Sequence, residues 1–309
     1  MIWVAWRLQR TETLIAAGIL ALLAALLIPT GISMGNTYHA DHIGACLAAA
    51  KGTSCSMRMS EFESEFQTVR LLANWFTLIP GLIGVLVAAP FILDLEHGTY
   101  RLAWTQSITR GRWLLGKLSL PILAALVSSG ALILLFTWWR APLANIDGRL
   151  DIGTYDTEGI VVIGYTLFAL GLAVALGAVW RRSAVSLTVA FVGYFAMRVF
   201  VDYWLRNRLV SPLHATWKGV GDPHFLYHAT IISESAVING HHINGGGGGV
   251  IGGHSQMAAP GLGVASVFHA VYQPASDFWP LQFRELGLFT GIAAVMILFA
   301  AWWTQRQGA

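Results

Sequence analysis

The sequence predicts an all-α integral membrane protein: six transmembrane helices, a short cytoplasmic amphipathic helix, and a large external segment between helices 5 and 6. Three observations predict it. Hydrophobic residues make up 55% of the 309-residue chain and charged residues only 11%, against about 25% charged in a soluble domain, so much of the surface cannot face water. Six apolar runs each approach the roughly 20 residues needed to cross a hydrocarbon core. Thirteen Trp and a mean hydropathy of +0.60 suit indole rings seated at the headgroup level. The formal charge of +3 is spread over the ends of these runs rather than gathered into a basic patch, which argues against a nucleic-acid partner.

Residues 1–12 alternate Ile2, Trp3, Ala5 and Trp6 with Arg7 and Arg10, the pattern of a short interfacial helix leading into the first span. From Thr13 through Ala40 no Asp, Glu, Lys or Arg occurs, which places the first span at about 14–35. A cleaved signal peptide fits poorly, because this run outlasts the usual apolar core and further spans follow. The next spans are expected at about 71–93, with Pro80 kinking the helix, and at 118–139 and 159–180. The fifth, 183–205, carries Arg198 and Asp202 near one end, where long side chains can reach the interface. The sixth is expected at 286–303, and 1–309 reads as one transmembrane domain.

The distribution of Lys and Arg sets the orientation. Placing 1–12, 94–117, 181–182 and 304–309 on one side collects Arg7, Arg10, Arg101, Arg110, Arg112, Lys117, Arg181, Arg182 and Arg306 against only Glu12, Asp94 and Glu96, whereas acids outnumber bases in the two shorter loops on the other side. By the positive-inside rule, both termini and the polar stretch 94–117 are then cytoplasmic. Cys46 and Cys55, the only cysteines, fall in the first external loop, where an oxidising compartment permits a disulfide; spacing alone does not establish the geometry. In the same loop Glu61 and Glu65, and likewise Phe62 and Phe66, stand at helical spacing, which fits a short external helix.

The segment 206–285 holds the run Gly245 to Gly249 and seven histidines, among them His214, His228, His241, His242 and His269. No HExxH pattern or nearby thiolate supports a metal site, and His-, Gly- and Ser-rich loops are commonly just solvated, so no metal is expected. The glycines lack the Gly-Lys-Ser/Thr of a phosphate loop. Ala258 to Val271 is apolar enough to dip into the bilayer or to cover the bundle as a lid.

Two residue sets stand out. Arg198 and Asp202 are four apart, so they can pair on one helical face; they read either as support for the outer part of a permeation path or as an interfacial snorkelling pair. The stretch Asp94 to Lys117 is polar, charged and Trp-bearing between two spans. Gly98 can break the backbone, Thr99 can cap a short helix, and Tyr100 and Trp104 then share one face. Ser107 and Thr109 offer a second cap before Arg110, Arg112 and Trp113.

This stretch resembles the loop of type-2 ABC exporter permeases, in which Glu-x-Gly-Thr follows the second span. Here those residues are Glu96, Gly98 and Thr99. The continuation Arg101 to Ser107, then Thr109, Arg110, Arg112 and Trp113, is similar to six-span actinobacterial members, as are Gly81-Leu-Ile-Gly84, Ala88-Ala-Pro90 and Tyr272-Gln-Pro-Ala-Ser276. Many members carry Pro where Ser107-Ile108 stands and a basic residue at Asp277. The resemblance implies a permease that pairs with a second copy and is driven by separate ATPase subunits docking on a coupling helix. Glu96, Gly98, Thr99, Tyr100, Arg101, Trp104, Gln106 and Arg110 would form that coupling site, with Tyr100 and Trp104 as anchors and Glu96 and Arg101 as polar contacts. ATP and Mg would be held by the partner, since this chain has no Walker A pattern and no cofactor of its own. The implied cargo is an amphiphilic drug, peptide or lipid-like substrate carried outward. A membrane sensor or immunity protein that binds an external ligand without moving it is the competing reading, and a membrane enzyme using the external histidines is a third.

Overall fold

A computed structural model of the protein describes residues 2–49, 53–99, 109–150, 152–218, 226, 228–238, 241–245 and 267–307. Six helices in it are long and apolar enough to span a bilayer: Leu14–Ala40, Leu71–Glu96, Gly111–Ile146, Val161–Trp180, Ser183–Leu209 and Ala275–Arg306.

All but the fourth spanning helix run longer than the apolar runs suggest, because a helix does not stop where the chain becomes polar. α1 is continuous over Ile2–Ala40, so the expected interfacial helix and first span are one element. After it come α2 (Ile43–Ala49) and α3 (Thr53–Glu65). Phe62 and Phe66, one turn apart, are buried with their ring centroids 4.9 Å from each other. The second span is α4 (Gln67–Trp75), a 3-10 turn at Phe76–Leu78, and α5 (Ile79–Glu96). Pro80 sits in the first turn of α5, where its missing N–H costs nothing, so the irregularity lies just upstream of the proline. Tyr194 from the fifth span donates its hydroxyl to the Thr77 carbonyl at this break, at 2.9 Å.

α6 covers Arg110–Asp147, well beyond the expected 118–139, and is followed by the single turn α7 (Ile152–Tyr155). α8 (Val161–Trp180) is the axis of the molecule, packed on α5, α6, α9 (Ser183–Phe200) and the last helix. The most apolar stretch of α8 is 78% buried, against 17% in the first and sixth spans. Small residues let backbones close in on it, as is usual where lipid removes any hydrophobic drive between helices. Gly84 on α5 is the tightest case, because a Cβ there would overlap the Thr166 carbonyl oxygen of α8. Gly84→Val is therefore expected to lower stability by about 1–3 kcal/mol, the usual cost of overpacking. Thermal unfolding of purified protein in detergent checks it.

α9 passes through one π-helical turn, Val201–Leu205, into α10 (Arg206–Leu209). Beyond it the all-α expectation is corrected. Four strands, β1 (Leu213–Lys218), β2 (Thr230–Ile238), β3 (His241–Gly245) and β4 (Val267–Gln273), form an antiparallel sheet in the order β1-β4-β2-β3. Phe268, Ala270 and Tyr272 alternate inward along β4, so this part of the apolar 258–271 run is sheet core. The last helix, α11 (Phe278–Gln307), begins eight residues before the expected 286, so Gln282 and Glu285 belong to the helix and not to the external segment.

The sheet is fastened to the bundle at the α6 end. His228 Nε2 lies 3.1 Å from the Asn145 carbonyl, which can only accept, so that nitrogen carries the proton. Partial burial pushes the His228 pKa down, in keeping with a neutral ring. Thr230 Oγ1 donates to the Leu150 carbonyl at 3.1 Å.

Candidate functional site: a buried charge cluster and the polar end of the second span

At the sheet end of the bundle, five charged side chains from three parts of the chain meet: Arg198, Arg206, Asp156 and Glu285 are buried and Asp202 is partly exposed. Arg198, Asp202 and Arg206 recur every four residues along the fifth span, so they stack on one face. Asp156 comes from the turn after α7 and Glu285 from the second turn of the sixth span. Arg198 reaches Asp156 Oδ2 at 2.6 Å through Nη2, and both Asp202 Oδ1 (3.1 Å) and Glu285 Oε1 (3.2 Å) through Nη1. Arg206 Nη2 is 2.6 Å from Asp156 Oδ1 and 2.6 Å from Asp202 Oδ1, while its Nε donates to Glu285 Oε2 at 3.2 Å.

Two tyrosines complete the cluster. The Tyr165 hydroxyl donates to Glu285 Oε1 at 2.6 Å, and its ring lies 3.8 Å beneath the Arg198 guanidinium. Arg206 stacks over Tyr155 at 4.2 Å. Glu285 is 0% exposed and Asp156 2%, so their charges depend on these partners. Burial alone would raise the Asp156 pKa, but the two guanidiniums outweigh it and hold the carboxyl below its usual range. Glu158 is the contrast: burial raises its pKa, and Arg140 and Arg149 only partly offset that. Three carboxylates face two guanidiniums, leaving one formal negative charge in excess.

Gln282 locks the neighbouring backbone. Its Oε1 accepts the Val161 N–H at 2.9 Å, capping α8, and its Nε2 donates to the carbonyls of Tyr155 (3.2 Å) and Glu158 (3.1 Å). Gly159 has φ +83, and a Cβ there would stand 2.7 Å from Gln282 Oε1, so both the turn and the close approach require glycine. The cluster thus ties the 147–160 turn to the fifth and sixth spans as a charge clamp.

At the opposite end, the last turn of α5 carries Asp94 and Glu96. Asp94 is ion-paired with Lys117 of α6 and accepts the Thr99 hydroxyl through Oδ1 at 2.9 Å. Gly98 turns the chain with φ +70. Glu96 Oε2 accepts the backbone N–H of Ser183, the first residue of α9, at 3.0 Å. Thr99 therefore turns back onto α5. Thr109 has the extended backbone of an N-cap, without a side-chain cap hydrogen bond. Tyr100, Arg101, Trp104 and Gln106 lie outside the described residues, as does the side chain of Arg110. Cys46 is disulfide-bonded, and no cysteine among the described residues is free; the Cys55 side chain is not among those described.

Among the described residues no group of three His, Cys, Asp or Glu is placed to hold a metal ion. His269 instead meets Thr216 of the adjacent strand, Nδ1 to Oγ1, at 2.9 Å. The residues that sequence reasoning missed are Tyr155, Asp156, Tyr165, Arg206, Gln282 and Glu285. The available signal was the third member of the 198/202/206 series.

A protein-family model described as ABC-2 membrane transporter related matches residues 17–206, which takes in the second, third and fourth spans and most of the first and fifth, and stops before the sheet. No curated protein and no solved structure gives a significant match to the chain. With six apolar helices of spanning length and a family match over more than half its sequence, the chain is a multi-pass membrane protein that belongs to the ABC-2 membrane transporter related family.

Proposed function

We propose that the chain is the permease subunit of an ATP-driven exporter. It pairs with a second copy and is powered by a separate ATPase that docks on the 94–117 stretch at the cytoplasmic face. The observation that carries this reading is the family membership, taken together with a polar, aromatic stretch between the second and third spans. The excess of Lys and Arg on the same side as that stretch supports placing it, and both termini, in the cytoplasm. The cargo is an amphiphilic drug, peptide or lipid-like molecule moved outward. Arg198 and Asp202 support the outer part of its path from within the bundle, where intramembrane charge is usually held.

Affinity purification of the tagged chain from its native membrane tests the central point. An ATPase subunit is expected to come with it, and compounds that the pair transports are expected to stimulate hydrolysis in lipid vesicles. A preparation with no ATPase overturns the reading.

The external placement of the first loop carries its own test. Cys46 is assigned to Cys55, the other cysteine of the sequence. Intact mass of alkylated protein is expected to show two added groups only after reduction. Two alkylated thiols without reductant would remove the pairing and one support of the orientation.

A further inference from the structure

Ser183 opens an 18-residue helix whose N-cap residue, Arg182, has an extended backbone (φ -130, ψ 107) and makes no side-chain cap hydrogen bond. The first N–H groups of any helix lack intrahelical partners and carry the positive end of its dipole. Here the N–H of Ser183 is satisfied by a carboxylate from a residue 87 positions earlier, Glu96, at the end of α5. α8 ends just before, with Arg181 in the left-handed conformation (φ 53) as its cap, so the link between α8 and α9 is only Arg181 and Arg182. The same turn of α5 also grips α6 through Asp94 and Lys117. One helical turn at the edge of the 94–117 stretch therefore holds the starts of both the third and fifth spans. The fifth span carries Arg198, Asp202 and Arg206 of the charge clamp at its far end.

We propose that Glu96 is a positioning residue that passes displacement of the 94–117 stretch to the fifth span through its cap on Ser183, instead of serving as a contact for the ATPase. The inference rests on the permease reading above. It assigns the Glu of the Glu-x-Gly-Thr pattern an intramolecular partner and makes Ser183 equally important. It also selects which helix moves with the loop.

Ser183→Pro removes both of the bonds that Ser183 makes to Glu96, the one from the backbone N–H and the one from the side chain. Proline at the first helical position keeps the helix start while deleting the N–H, and the extended Arg182 backbone already suits a following proline. The probe is an environment-sensitive fluorophore on Tyr203→Cys, a fully outward position at 83% exposure on the fifth span. It is read on the permease–ATPase complex in nanodiscs with ATP against ADP. Glu96→Ala and Ser183→Pro are each expected to cut the ATP-dependent signal about fivefold per folded complex, within the range of mutations along a coupling path. The ATPase should stay bound in both. The double variant should be no worse than either single one, since one contact cannot be lost twice. Glu96→Gln, which keeps an acceptor oxygen, should recover part of the signal.

A full signal in Ser183→Pro overturns the inference, as does additive loss in the double variant, release of the ATPase by Glu96→Ala, or a wild-type fluorophore indifferent to ATP. Absence of any ATPase from the wild-type preparation is a different failure. It removes the permease reading, and the inference falls with it.

Discussion

Arg206→Met is expected to destabilise the protein by about 3–5 kcal/mol, the cost of breaking a buried ion pair by removing one partner. Met fills much of the volume of the arginine stem, so the loss measures charge and not a cavity. Arg206 contacts three carboxylates at once, Asp156, Asp202 and Glu285. Without it, three acids would share Arg198 alone, and Glu285, with no exposed surface, has no route to water. Arg206→Lys should recover only part, because one ammonium cannot reproduce a fork that meets Glu285 through Nε and Asp156 through Nη2. Adding Glu285→Gln to Arg206→Met should restore stability, since it removes one orphaned charge. Thermal unfolding followed by Trp fluorescence in detergent reads all three variants. A loss below about 1 kcal/mol for Arg206→Met, the value of an exposed pair, would mean that the clamp is solvated.

The same residues show why the sequence revealed the bundle more readily than the cluster. Apolar runs announce spans because lipid admits little else, and all six runs became helices. Hydropathy ends the spans where charge appears, at 205 and 286, which leaves Arg206 and Glu285 one residue outside on either side. Hydropathy treats every charge as a group seeking water; it has no way to register a charge met by another from 79 residues away. The sheet was hidden differently. Phe268, Ala270 and Tyr272 follow the period-2 signal of a strand, but only over the seven residues of β4, and the His- and Gly-rich chain around them gives no hydrophobic pattern. The partner strands are distant in sequence, with Val267 set against both Lys218 and Val237. Glu96 was legible as part of a motif, whereas its cap on Ser183 depends on how α5 and α9 pack.

Trp104→Ala is expected to cost about 2 kcal/mol or more of ATPase docking, as truncating a buried aromatic anchor commonly does, which is roughly a thirtyfold loss of affinity. The argument is one of energy transfer. A permease with no Walker A pattern moves only as far as another subunit pushes it, and a push needs a surface that does not slip. Tyr100 and Trp104 stand four apart in the sequence, the spacing that would put two rings on one face of a helix. The frame on either side of them is fixed. α5 closes at Glu96, Gly98 turns the chain, α6 begins at Arg110, and the Asp94 to Lys117 pair ties the two helices together across the stretch. If the ATPase docks there, as proposed, force would pass from this stretch into the second and third spans, and into the fifth through Ser183. Loss of the anchor should release the ATPase, whereas loss of the Glu96 cap should leave it bound but ineffective. The paired measurement is the ATPase retained on the purified permease and the hydrolysis stimulated by transported compounds in vesicles. Full retention with full stimulation in Trp104→Ala would reduce residues 94–117 to a linker on the membrane surface, and docking would then have to be sought on the other loops of the same face.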